Sequence, residues 1–356
     1  MRKESVLELK NEVLKTLWSR SGQQRGAVAQ TQGLVNPYVE SRLAVGYSQR
    51  QKGSYRLELR VQRPDGAAYQ LAEDFKEKAR QEANIEVVPS IEIPSQRAVL
   101  NVAGHKGLTH RKDVNNDEPI HIGLSIGHAE DGAGTLGAFV SDSDGKECIL
   151  SNNHVLALMG AAALKDAIYQ PGRPDQKFIQ ARTEIAFLSN YCVINKNARD
   201  SIDAAVATLK KGVSHESNRI PVGLRFPMEG KMIRQVESAE HLIDLLRTDS
   251  SVCKIGRTTG LTEGRVGAVA LDNVTVKTSI GNVVFDNVIE INWKSNKTPF
   301  SRPGDSGSLV FTKNGLWAVG LHFAGGVKKL QQRTIGVSYS GNMTTILDTM
   351  ELSWLD

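Results

Sequence analysis

The sequence predicts a mainly β protein entered through an N-terminal helix and a small α+β unit, and three features carry that prediction. After Pro119, short apolar runs alternate with Gly, Asn, Asp and Ser turns nearly to the end, the texture of barrels and sandwiches. Between residues 37 and 118 the order is strand, turn, strand, helix, strand, followed by a polar stretch. Residues 5–18 set Val6, Leu7, Leu9, Val13, Leu14, Leu17 and Trp18 mostly on one helical face. A chain of 356 residues allows two or three domains. The expected division is a helix and loop over 1–36, an α+β domain with linker over 37–118, a first β unit over 119–218 and a second over 219–356.

In chain order, the amphipathic helix gives way to a Gly-, Gln- and Ser-rich loop from Ser19 to Asn36. Strands follow at Leu43–Ser48 and Tyr55–Val61 around a turn at Gln51-Lys52-Gly53, then a helix from Ala67 to Ala83 and a strand from Ile85 to Ile93. The alternation Tyr55-Arg56-Leu57-Glu58-Leu59-Arg60-Val61 predicts one solvated face. Pro94 to Pro119, with His105, His110 and Asp113–Asp117, reads as a solvated linker, its histidines lacking compact metal-ligand spacing. Strands are then expected at Thr135–Val140, Cys148–Ser151, Ala204–Leu209, Arg265–Ala270, Asn282–Ile291, Ser308–Thr312 and Leu316–His322, with helices at Val236–Leu246 and Met343–Met350.

Bulk properties exclude several classes. A formal charge of +5 without a dense basic run argues against nucleic-acid binding. No stretch approaches membrane-spanning length, and the N-terminus lacks the apolar core of a secretory signal. Cys148, Cys192 and Cys253 are too few and odd in number for a disulfide framework, so a reducing cytoplasm is the expected location.

The chemistry concentrates in Arg302-Pro303-Gly304-Asp305-Ser306-Gly307-Ser308. A serine between Asp and Gly on a tight loop can expose its hydroxyl while backbone N–H groups converge beside it, as an acyl-transfer nucleophile requires. The same residues also suit an ordinary turn before a strand. A serine nucleophile needs a base, and the base needs an orienting acid. His154 ends the apolar run Ile149-Leu150 in the turn Ser151-Asn152-Asn153, and Asp203 heads the small-apolar strand Ala204-Ala205-Val206-Ala207, with Asp200 as the alternative acid. The chain order His154, Asp203, Ser306 is one known order for such triads.

With Ser125-Ile126-Gly127-His128, Gly134-Thr135-Leu136-Gly137, Gly256-Arg257-Thr258-Thr259-Gly260 and Phe300–Ser308, these segments resemble the chymotrypsin/trypsin-like serine peptidases, in particular intracellular bacterial members related to the plant narrow-leaf type. The resemblance covers about Ile120 onward closely and the preceding unit loosely. It implies a chymotrypsin-like double antiparallel β-barrel of perpendicular six-stranded barrels, the first carrying His154 and Asp203 and the second Ser306, with a C-terminal helix. It implies His154 as base then acid, Asp203 as its orienter, and an oxyanion hole from the N–H groups of Gly304 and Ser306. Secreted members are activated by a freed N-terminal amine that pairs with the acid before the serine. No such terminus arises here, so Asp305 needs another partner and no zymogen cleavage of that kind is expected. The cysteines that usually flank the histidine are also missing.

The position six before the nucleophile is Phe300, not an acid, which removes the basis for Lys/Arg preference. Val319-Gly320-Leu321-His322-Phe323-Ala324-Gly325-Gly326 resembles the pocket strand of glutamyl endopeptidases and picornaviral proteases, making Ser301, His322 and Gly325 the candidate specificity pocket for Glu or Gln. A packed strand histidine is the competing reading. The expected function is a cytoplasmic, cofactor-free and metal-independent serine endopeptidase acting on a protein or peptide substrate. By resemblance alone, such proteins can serve in bacterial antiphage defence. The N-terminal segments are candidates for docking a regulatory protein, forming a homo-oligomer or covering the cleft. The alternative function is a catalytically silent protease-fold scaffold.

Overall fold

A computed structural model describes residues 1–28, 42–63, 66–94, 118–130, 132–176, 182–196, 198–199, 201–248, 250–329 and 334–356. The linker residues His105, His110 and Asp113–Asp117 and the alternative acid Asp200 lie outside the described residues. The N-terminal part comprises α1 (Lys3–Val28), β1 (Leu43–Gln51), β2 (Ser54–Val61), α2 (Gly66–Lys78) and β3 (Ala83–Glu92). Helix α1 runs through Ser19–Val28, where the sequence predicts a loop. Gln23, Gln24, Arg25 and Ala27 are good helix formers, and no proline interrupts them.

The middle part holds β4 (Ser125–His128), β5 (Gly134–Thr135), β6 (Ala138–Ser141), β7 (Glu147–Ser151), the one-turn helix α3 (Asn153–Leu156), β8 (Ala167–Gln170), β9 (Thr183–Tyr191) and β10 (Ala205–Leu209). The last part holds β11 (Arg234–Gln235), α4 (Ala239–Thr248), β12 (Ser251–Gly256), β13 (Gly260–Asp272), β14 (Val274–Thr278), β15 (Gly281–Phe285), β16 (Val288–Trp293), β17 (Leu309–Thr312), β18 (Trp317–Lys329), β19 (Thr334–Asn342), α5 (Met343–Met350) and β20 (Ser353–Trp354).

The fold is mainly β, a double barrel of the chymotrypsin type with an N-terminal helix and α+β segment. The first barrel is a curled antiparallel sheet in the order β20-β6-β7-β10-β9-β8-β4-β5 around Val140, Ile149, Leu150, Val206 and Ala207. The second closes as a six-membered ring, β12-β17-β18-β19-β16-β13, through the β12–β13 pairing.

The N-terminal strands build a second closed ring on that barrel. β13 and β18, thirteen residues each, outrun the six-membered ring. The far half of β13 pairs with β1, Val45 opposite Asp272, and the far half of β18 pairs with β3, Gly326 opposite Ile91. With β2 between β1 and β3, the ring β13-β1-β2-β3-β18-β19-β16 closes, sharing four strands with the ring beneath it.

This ring corrects the expectation of a solvated face on β2. Leu57, Leu59 and Val61 point outward and are covered by Val6 and Val13 of α1 and Leu71 and Phe75 of α2. Glu58 and Arg60 are buried on the opposite side. Arg60 donates to Glu58 and Glu290, Lys328 bonds Glu86 and Glu290, and the Tyr339 hydroxyl donates to Glu290. These groups come from β2, β3, β16, β18 and β19, so the ring is salt-bridged inside and apolar outside. The alternating pattern is obeyed, but protein rather than water meets its polar half. Burial alone pushes the Glu290 carboxyl up, yet Arg60 and Lys328 beside it hold it at about 2.

Candidate active site

β7 and β10 are neighbours, with Ser151 opposite Ala205, so the turn after one strand meets the residues leading into the other. Asn152 ends that turn and binds the Asp203 carbonyl at 2.7 Å. His154, in α3, then donates its backbone N–H to Asp203 Oδ1 at 3.1 Å, and its Nδ1 lies 2.5 Å from Oδ2. A carboxylate only accepts, so Nδ1 carries the proton and Nε2 is left as an acceptor.

Ser306 comes from the other barrel, on the loop before β17. The first barrel grips this loop directly: the Thr135 N–H donates to the Ser306 carbonyl at 2.8 Å and its hydroxyl to the Gly304 carbonyl at 3.0 Å. Gly307 has φ +89, and a Cβ there would overlap Ser151 Oγ and the Thr135 carbonyl, so only glycine fits. Ser306 and His154 line one cavity of about 780 Å³. No hydrogen bond joins their side chains in this structure, a link that commonly tightens only with substrate in place.

The loop's N–H groups alternate in use. Those of Asp305, Gly307 and Ser308 donate to Arg302 O, His322 O and Asp305 O. Those of Gly304 and Ser306 have no acceptor among the described residues, which leaves two donors beside the Ser306 hydroxyl.

Asp305, fully buried, finds the partner that the sequence left open. Its carboxylate accepts from the N–H groups of Thr258, Thr259 and Arg302 at 2.9, 3.0 and 2.9 Å and from the Thr259 hydroxyl at 2.7 Å, with Lys254 Nζ 3.4 Å away. Burial raises the Asp305 carboxyl, but Lys254 and these donors outweigh it and hold it below the usual carboxylate range. Burial in turn lowers Lys254, opposed by Asp305. Behind the loop, buried Arg257 forms a two-pronged salt bridge with Asp175 of the first barrel.

Sequence reasoning named neither Lys254 nor the Arg257–Asp175 pair. The signal for Lys254 was present, since a lysine in the apolar strand Val252-Cys253-Lys254-Ile255 must meet an acid once buried.

Ser301, His322 and Gly325 line the same cavity. His322 Nδ1 faces the Tyr339 carbonyl at 3.1 Å. Ser301 Oγ lies 2.7 Å from Ser338 Oγ, which accepts from Trp293 Nε1. A Cβ built on Gly325 would lie 3.9 Å from Ser301 Oγ, so the missing side chain keeps the pocket open there. The structure therefore brings all the predicted site residues to one cleft between the barrels: Asp203 behind His154, Gly304 within the serine loop, and the rest on the cavity wall.

What the fold defines is a two-barrel β protein with a serine, histidine and pocket strand meeting at the junction. Several solved structures are similar to it at low identity. They include a Nocardiopsis protease (17% identity, covering 67% of this chain and 100% of that one, TM-score 0.45), a glutamic-acid-specific serine protease described as using a histidine triad in substrate binding (18%, 66% and 100%, TM-score 0.44) and a Cellulomonas bogoriensis chymotrypsin (15%, 67% and 98%, TM-score 0.42). No family model and no curated protein matches the chain.

Proposed function

We propose that the protein is a serine endopeptidase that cleaves a protein substrate through an acyl-enzyme on Ser306. The observation that carries this is the His154–Asp203 pair, bonded so that Nε2 is a free acceptor, on the cavity that also holds Ser306. Ser306 Oγ attacks the scissile carbonyl and passes its proton to His154 Nε2, while the Gly304 and Ser306 N–H groups hold the oxyanion. His154⁺ then protonates the leaving amine. Water, deprotonated by the same ring, releases the acyl group.

The pocket supports amide recognition more than acid recognition. A carbonyl only accepts, so His322 Nδ1 carries the proton toward Tyr339 and neutral Nε2 is an acceptor. Burial, helped by Lys254, pushes His322 down to about 3, so the ring is neutral at neutral pH. A Gln side-chain N–H can donate to Nε2, and the Ser301 hydroxyl, backed by Ser338, can donate to its oxygen. A Glu carboxylate needs His322 protonated first.

The cysteines are unpaired, in keeping with a reducing cytoplasm, and among the described residues no helix is long and apolar enough to cross a membrane. A regulated role in bacterial antiphage defence, with a protein partner acting through the N-terminal segments, rests on the sequence resemblance alone.

A fluorophosphonate probe tests the activity. Covalent labelling is expected and should vanish in Ser306→Ala. A well-folded protein that resists labelling overturns the reading in favour of a silent scaffold.

A further inference from the structure

One edge of β18 pairs with β19 from Gly320 to Lys329. The other edge is divided between two shorter partners. β17 takes Ala318 to Leu321, and the serine loop extends that ladder, Gly307 N–H donating to His322 O and His322 N–H to Ser308 O. β3 takes the far end, with Glu92 opposite Gly325, Ile91 opposite Gly326 and Ser90 opposite Val327. Between the two, Phe323 and Ala324 have no ladder partner on this edge among the described residues.

Both β17 and β3 run antiparallel to β18. A peptide lying in the gap, in line with them, has its amino end at Glu92 and its carboxyl end at Ser306. That is the polarity an acyl donor needs, because the residue whose side chain enters the Ser301–His322 pocket then sets its carbonyl against Ser306 Oγ. β3 itself runs in this direction, toward Ser306. It leaves the ladder at Ile93, whose N–H donates to the Lys277 carbonyl at 3.0 Å, and Pro94 has no N–H to give. Ser90, Glu92, Ile93 and Pro94 thus form a fixed wall of the cavity that holds Ser306.

We propose that β3 permanently fills the outer part of this edge, so that only two residues on the acyl side of the scissile bond pair with β18. At about 3.4 Å per residue the gap spans about 7 Å, room for the residue in the pocket and the one before it. A third residue meets Glu92 and has to leave the sheet. The substrate this suits presents its scissile bond on a bent, exposed loop or close to a free amino end, not within a long extended segment.

The proposal rests on Ser306 being the nucleophile, and the experiment separates the two. Acetylated peptidyl diphenyl phosphonates of one to five residues, each ending in the glutamine analogue, are reacted with the full chain and with its Ser306→Ala variant. Labelling is expected to accelerate severalfold from one residue to two and to stay within about twofold from two to five, whereas each ladder residue on an open edge adds about fivefold. Continued acceleration at the third and fourth residues overturns the proposal and leaves Ser306 as nucleophile. Absence of Ser306-dependent labelling at every length overturns both.

Discussion

Lys254 and His322 show how much a single buried side chain decides. Removing one partner of a buried ion pair leaves an uncompensated charge, at a cost of about 3–5 kcal/mol. Lys254→Met should therefore lower the melting temperature and abolish Ser306 labelling, and adding Asp305→Asn should recover much of the stability. A Lys254→Met protein that melts and labels like wild type excludes Lys254 as the prop of the serine loop. His322 makes a different prediction. Its folded value of about 3 lies below the ordinary histidine value of 6.5, so the ring is neutral throughout the ordinary working range of pH. The ratio of kcat/KM for Gln against Glu peptides should therefore exceed one at neutral pH and fall severalfold in His322→Ala, whereas an unchanged ratio removes His322 as the selector. That His154 and Asp203 meet beside the Ser306 loop was legible in the sequence, because the proposed triad needs three residue types in a known order. The apolar strand around Lys254 signalled a buried lysine in need of an acid, but which acid was not legible, because nothing local ties it to Asp305, 51 residues away.

Among the elements, β2 is the most informative. Its alternation was legible, but the enclosure of its polar face depends on β16, β18 and β19, which arrive far later in the chain. The ion cluster they enclose has a pH signature. Glu290 sits at about 2 when folded against 4.5 as an ordinary glutamate. Its contribution to stability is therefore complete above about pH 4.5 and is lost as pH falls toward about 2. Glu290→Gln should cost stability at neutral pH and flatten the acid side of the profile, read as denaturant midpoints at neutral and acid pH. A variant that tracks wild type across that range places the ion pair outside the folding energetics. Long strands also resisted reading by pattern: β18 continues seven residues past His322 because β3 and β19 pair with its glycine-rich end.

At the scale of the whole molecule, the N-terminal segments are wall rather than appendage. A chain starting near residue 118 loses β1, β2 and β3, opening the edges of β13 and β18 and exposing Glu290 and Lys328 without Arg60, Glu58 or Glu86. Such a truncation should be insoluble or unfolded by circular dichroism. A soluble, cooperatively melting fragment that labels at Ser306 overturns this view of the ring. The two-barrel plan was legible because turn-punctuated apolar strands and the triad order point to it together. The stacked ring was not, since pairing between residues so far apart leaves no mark in a local window. That separation also governs how the protein is made. Val45 cannot meet Asp272 until the ribosome has added the residues between them, on the order of ten to forty seconds at about 5–20 residues per second. Through that interval β1 and β2 carry charged faces with nothing to enclose, and the Ser306 loop has not yet been synthesised. The wall beside the cleft and the serine loop within it are thus completed in the same late stage of translation, so the cleft that brings His154 and Ser306 together does not exist on a nascent chain.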